Sequence, residues 1–203
     1  MAMPTDRVQR VVNLARAKGL LRPRDLAVVG IPRQYLRMAH ERGLVERVAR
    51  GLYRVAGEMT SDKASLAEVC KRAPSGVICL ISALSFHELT TQIPHFVYLA
   101  IGEKAHLPHI EHVNVEVFRF SGTALTEGIE THVVDGAEVR VYCVAKTVAD
   151  CFKYRNKIGL DVAIEALRDC LRQRKATVDD LVRYGRICRV ERVMRPYMEA
   201  MLA

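Results

Sequence analysis

Apolar residues recur at helical spacing from the start of the chain. Val8, Val11, Val12 and Ala15 stand at i, i+3, i+4 and i+7, which predicts an amphipathic helix capped by Thr5 or Asp6 and ended by Gly19. Residues 20–30 predict a second short helix, with Pro23 near its start and Gly30 closing it. Residues 32–43 predict a third: Pro32 suits the first helical position, where a missing N–H costs nothing, and Gly43 suits the left-handed residue past the end. On that helix Leu36, Ala39 and Tyr35 can face a core while Arg33, Gln34 and Arg37 fall on the other side. Ile31, in the turn between the two, is placed to bury.

The period then changes. Residues 44–50 alternate, Arg50-Gly51 supplies a turn, and Leu52-Tyr53-Arg54-Val55 returns, which predicts a β-hairpin. A helix, a helix-turn-helix and a basic hairpin, in that order, form the pattern of a winged helix. Residues 56–60 read as a hinge, so the chain divides into 1–57 and 58–203. Beyond it, Ser61 or Asp62 caps a helix with Leu66, Val69, Cys70 and Ala73 on one side, ended by Pro74-Ser75-Gly76. Most of the apolar run 77–89 reads as a buried helix ending near Thr90. Strand-like runs follow at 96–101, 113–120, 129–134 and 139–144, the last two joined by Asp135-Gly136, a hairpin signal. The tail reads as helices at 146–154, 160–171, after a capping box at Thr177-Val178-Asp179-Asp180, and at 187–202. The fold class is α+β: a winged helix-turn-helix, then an antiparallel or mixed sheet flanked by helices.

Charge sharpens this division. The 203 residues carry a net +8, and residues 1–55 hold 12 Lys and Arg against 4 acids, so the whole excess lies in the first quarter. Such asymmetry indicates one module facing a polyanion and another facing something else. No run of eighteen apolar residues, no signal-peptide core and no lipidation motif occurs, which favours nucleic acid over membrane and a cytoplasmic location. The six cysteines include no C-x-x-C pair and read as reduced, buried small hydrophobes.

Within the basic module, the Arg33, Gln34 and Arg37 face offers bidentate donors to guanine and adenine edges or forks for phosphate, with Tyr35 beside it. Arg47, Arg50 and Arg54 on the hairpin can hold phosphate or reach a minor groove, and Arg22 and Arg24 add charge at the second helix. Elsewhere chemistry is sparse. His87-Glu88-Leu89-Thr90-Thr91 begins like a zincin motif, but Thr91 stands where the second imidazole must be, so the metal reading fails and His87 and Glu88 read as capping or packing residues. Lys146, Asp150 and Lys153 lie within reach of one another on one helix, either as paired charges on a half-solvated face or as a phosphate- or partner-facing cluster. Asp135 and Glu138 flank a hairpin without an acidic partner. There is no P-loop, no Gly-x-Ser-x-Gly elbow and no cofactor motif, so the residues do not argue for an enzyme.

Several segments resemble the AbiEi family, the antitoxins of type IV, abortive-infection toxin–antitoxin loci. In the first part these are Leu-Arg-Pro-Arg-Asp-Leu at 21–26, Gly-Ile-Pro-Arg-Gln-Tyr-Leu at 30–36 and Arg-Gly-Leu-Tyr-Arg at 50–54. In the second they are Ser-Ala-Leu-Ser-Phe-His-Glu-Leu-Thr-Thr-Gln-Ile-Pro at 82–94, Ala-Lys-Thr-Val-Ala-Asp-Cys-Phe-Lys-Tyr-Arg at 145–155 and Arg-Pro-Tyr at 195–197. The resemblance implies a winged helix that binds operator DNA and represses its own operon, and a second domain that neutralises a nucleotidyltransferase-like toxin. Arg33, Gln34 and Arg37 would read bases and Arg47, Arg50 and Arg54 would hold the backbone, while His87, Glu88, Lys146, Asp150 and Lys153 are candidates for partner contact. Two alternatives stand beside this reading. One is a DNA- or nucleotide-processing enzyme using Lys146, Asp150 or Asp135. The other is a stand-alone regulator or interaction module without a toxin.

Overall fold

The computed structural model describes residues 4–57, 63–106, 110 and 113–202. The protein is α+β. Helix α1 (Pro4–Lys18) buries Val8, Val11, Val12 and Ala15 on the expected stripe. It already includes Pro4, so Asp6 lies in the first turn, where its charge suits the helix dipole, rather than at the cap. Helix α2 (Pro23–Val28) is shorter than the sequence suggests. Leu20 and Leu21 are left out of it because Leu21 pairs with Tyr53, its N–H donating to the Tyr53 carbonyl at 2.7 Å and its carbonyl accepting from Tyr53 N–H at 2.9 Å. Helix α3 (Gln34–Glu41) starts two residues after Pro32, with Arg33 at the cap position. The wing follows as β1 (Val45–Ala49) and β2 (Leu52–Val55), antiparallel, with a bulge between Arg47 and Ala49 and a turn at Arg50-Gly51. Val45, Val55, Leu21 and Leu26 join the buried faces of α1 and α3 in one small core.

Helix α4 (Ala64–Arg72) opens the second part, its Leu66, Val69 and Cys70 buried; the expected cap at Ser61 or Asp62 lies outside the described residues. Val77 and Ile78 form strand β3 (Val77–Ile78), and only then does helix α5 (Leu80–Phe86) begin. This corrects the reading of 77–89 as mostly one helix: Ile78 pairs with Leu99 on one side and with Val141 on the other, and two strand partners outweigh helical propensity. Among the described residues the sheet also contains β4 (Val97–Gly102), β5 (Val115–Phe120), β6 (Ile129–Val134) and β7 (Ala137–Tyr142), in the order β5-β4-β3-β7-β6. β3–β7 and β4–β5 are parallel; β3–β4 and the β6–β7 hairpin are antiparallel. The sheet is therefore mixed, with its shortest strand at the centre.

Alternation along the strands sends side chains to two cores. Val97, Leu99, Ile101, Val139 and Val141 face α4, while Ala100, Phe118, Phe120 and Tyr142 face a helical layer. That layer contains α5, α6 (Thr123–Thr126), α7 (Val144–Lys153), α8 (Arg155–Ile158), α9 (Leu160–Arg172), α10 (Val178–Ile187) and α11 (Glu191–Leu202). The capping box starts α10 as expected: Asp180 N–H donates to Thr177 Oγ1 at 3.1 Å and Thr177 N–H to Asp180 Oδ2 at 3.4 Å. The final helix begins later than read. Arg189 takes the left-handed conformation (φ 60°) and separates α10 from α11.

The winged helix is joined to the sheet side of α4. Leu20, Ala49 and Leu52 share a core with Leu66, Val69, Leu99 and Val141. Lys71 Nζ donates to the Leu20 carbonyl, and Arg72 Nη2 to the Arg50 carbonyl at 3.0 Å. At the end of α1, Gly19 meets the β6–β7 turn so closely that a Cβ there would lie 1.3 Å from the Asp135 carbonyl oxygen. Only glycine permits that approach.

Candidate nucleic-acid interface

Helix α3 is built to present one polar face. Its first turn is tight, with Tyr35 N–H bonded to the Pro32 carbonyl and Leu36 N–H to the Arg33 carbonyl, both at 3.1 Å. Tyr35, Leu36 and Ala39 are buried, and Arg33, Gln34 and Arg37 are exposed, as their spacing requires. Arg37 Nε bonds Glu41 Oε1 at 2.7 Å, which raises the Arg37 pKa further above its ordinary value. Both side chains are largely exposed (80% and 54%), so this is a surface pair that exchanges readily for another anion. The far end of α3 is tied to the wing: His40 Nδ1 lies 3.1 Å from the Val45 carbonyl, and the His40 and Tyr53 rings meet edge to face.

Tyr35 departs from the expected set. It is only 9% exposed and packs in the core, because the helix turns it inward with Leu36; the Arg7 guanidinium lies over its ring at 5.5 Å. Arg7, on α1, is thus a cation beside α3 that periodicity alone did not single out. Arg47 and Arg50 on the wing are exposed, Arg47 Nε bonding the Ala49 carbonyl at 3.3 Å. Arg54 instead forms an ion pair with Glu46 across the hairpin and lines a cleft with Glu68 and Gly136. The hairpin register places Arg54 opposite Glu46, which spends its charge within the fold. Arg22 is half-buried, its pKa lowered by burial and by Arg24, with Arg72 also near. Arg24 lines a crevice with Lys71, Pro74 and Arg140. These two arginines therefore face the junction with the second part. Of the two, Arg24 is exposed, and with Arg33, Gln34, Arg37, Arg47 and Arg50 it makes up the exposed set.

The second candidate cluster is not half-solvated. Lys146 and Asp150 are both 0% exposed, on a helix whose every residue from Ala145 to Phe152 is buried. Lys146 Nζ donates to both carboxylate oxygens, at 2.7 and 2.6 Å, and lies over the Tyr142 ring at 4.1 Å. Cys188 Sγ–H adds a bond to Asp150 Oδ1 at 3.2 Å. Burial pushes the Asp150 carboxyl above its usual range, and Lys146 opposes that shift. Buried within the helical layer, Lys146 cannot meet a protein partner; only Lys153 of the three is exposed. His87 is also structural: its Nε2 lies 2.8 Å from the Tyr142 carbonyl, and burial lowers its pKa. Glu88 is exposed, in a left-handed turn at the end of α5, 3.9 Å from Lys175.

An exposed polar face on a short helix, a buried apolar back and a cationic hairpin together define a winged helix. Residues 9–56 match the family model described as "Transcriptional regulator, AbiEi antitoxin". The match covers the winged helix and stops at its end. No curated protein sequence matches the chain. Among solved structures, the crystal structure of the RV2827C protein from Mycobacterium tuberculosis is similar with a TM-score of 0.60 at 15% identity, over 88% of this chain and 71% of that one. At that identity the likeness concerns the fold alone. No helix among the described residues is long and apolar enough to cross a membrane.

Proposed function

We propose that this protein is a sequence-specific, double-stranded DNA-binding repressor of its own promoter and the antitoxin of a type IV locus, neutralising a nucleotidyltransferase-like toxin in the cytoplasm. Residues 1–57 form the DNA-binding unit and residues 58–203 the toxin-facing one. The observation that carries the reading is the exposed Arg33, Gln34 and Arg37 face of α3, held by buried Leu36 and Ala39, inside a segment similar to AbiEi antitoxin regulators. The protein acts by binding rather than catalysis. In support, Asp150, the carboxylate an enzyme would use, already has both oxygens held by Lys146 Nζ.

The test is binding of the purified protein to its own upstream DNA and to a random duplex across a salt series. The reading requires preference for the upstream sequence, with log affinity falling by about 0.9 per phosphate contact per log unit of salt. Equal, weak binding to both duplexes overturns the repressor reading. For the antitoxin half, co-expression with a nucleotidyltransferase encoded beside the gene should restore growth, and an Arg33→Ala/Arg37→Ala variant should still do so. No rescue by the unaltered chain removes the antitoxin role and leaves a stand-alone regulator.

A further inference from the structure

The second part of the chain has no net charge, yet its cations are not evenly spread. Arg183, Arg186, Arg189, Arg192 and Arg195 follow one another at three-residue spacing through the α10–α11 elbow. Two of them, Arg186 and Arg189, line a pocket of about 430 Å³ with Arg119, Ser121, Thr123 and Lys153. Asp150 lies beneath it, its carboxylate fully buried and paired with the Lys146 ammonium. The pocket is thus concave, cationic at its walls and neutral at its base.

Its walls differ in how far their charges are committed. Arg119 Nη1 is locked to the carbonyls of Gly102, Glu103 and Ala105 at 3.0, 2.6 and 3.0 Å, and the Tyr154 hydroxyl donates to the Arg119 carbonyl at 3.2 Å. Arg186 shares Glu191 with Arg195. Among the described residues, the side chains of Lys153 and Arg189 have no hydrogen-bond or ion-pair partner, although the Lys153 charge stabilises the Asp150 carboxylate at longer range. Arg189 sits at the left-handed position past α10, where glycine is the usual residue. Backbone cost of this kind collects at ligand clamps.

We propose that this pocket binds a small phosphorylated ligand, with Lys153 and Arg189 as the principal anion contacts, Arg186 as a third and the Ser121 and Thr123 hydroxyls as neutral donors. A guanidinium fork and an ammonium group converging in a recess match the tetrahedral oxygens of a phosphate. The volume lies in the range of small-molecule sites. A duplex offers its phosphates on a convex surface and engages ridges; a recess selects a compact anion. The site lies outside the winged helix.

Inorganic pyrophosphate and ADP are the probes, titrated calorimetrically into the full chain at fixed ionic strength. Saturable one-to-one binding is expected, weakened at least about tenfold in a Lys153→Gln/Arg189→Gln variant. Both side chains are exposed, and an unchanged melting temperature checks the fold of that variant. Arg50→Gln should leave the affinity unaltered. Tighter binding of ADP than of pyrophosphate assigns a nucleotide, and equal binding assigns the phosphate group alone; both support the site. The proposal fails if neither probe binds at millimolar concentration. It fails too if the pocket variant binds as well as the unaltered chain, or if Arg50→Gln abolishes the signal. Loss of duplex affinity in the pocket variant with pyrophosphate binding intact would assign the cations to nucleic acid instead and also overturn it.

Discussion

Helix α3 and helix α7 each carry charged residues at a four-residue interval, Arg33 and Arg37 on one, Lys146 and Asp150 on the other, and the fold treats them oppositely. On α3 the charges stand in water, and the one intrahelical partner, Glu41, holds Arg37 through a surface pair that is worth little. On α7 neighbouring helices and the aromatic rings of Phe120 and Tyr142 close over the pair, so each charge has the other as its ion-pair partner, with Cys188 adding a bond to Asp150. The difference teaches that spacing brings side chains together but does not say whether they serve a partner or the fold. That depends on what packs against the helix.

The sharpest way to break this comparison is to remove one member of each set. Lys146→Met strands the Asp150 carboxylate in the core and should cost about 3–5 kcal/mol in urea unfolding, whereas Lys146→Met/Asp150→Leu should recover much of the loss. An unfolding midpoint unchanged in the single variant would mean the pair is not structural. Next in size, Gly19→Ala drives a methyl group into the Asp135 carbonyl and strains a positive φ. It should cost roughly 1–3 kcal/mol and raise amide hydrogen exchange around residues 18–22. Protection equal to that of the unaltered chain would show that the junction yields without cost.

On the exposed side, Arg33→Ala or Arg37→Ala should change stability by less than about 0.5 kcal/mol. Each should weaken binding to the upstream duplex by about 1–3 kcal/mol, with little effect on random DNA. Arg50→Ala should weaken both duplexes alike and reduce the salt slope by roughly 0.9. Equal losses on both duplexes for all three variants would remove α3 as the reading helix. The smallest effect is one of pH. Burial lowers the His87 pKa below its ordinary 6.5, so the unfolded chain takes up a proton more readily than the folded one. The stability this contributes is present above that value and is lost as pH falls through the folded pKa. His87→Gln should therefore flatten the decline in melting temperature between pH 7 and lower values, and an equally steep decline would show that other groups set it.

The sequence alone determined what depends on neighbours a few residues away. The α3 faces follow from a 3.6-residue period that puts Leu36 and Ala39 opposite Arg33 and Arg37. The Asp135-Gly136 hairpin follows because that dipeptide accepts two positive φ angles, 47° and 67° here. The cap of α10 follows from Thr177 and Asp180. Only the tertiary structure decided the rest. Val77 and Ile78 are strand because residues some twenty and sixty positions away flank them. Arg54 is withdrawn from the exposed cations because the hairpin register sets Glu46 opposite it, and Lys146 and Asp150 are buried because α5, α9 and α10 cover α7. The cationic pocket brings together Arg119 from β5, Lys153 from α7 and Arg189 from the link between α10 and α11. Strand pairing and burial are non-local, and no window along the chain carries the information on which they depend.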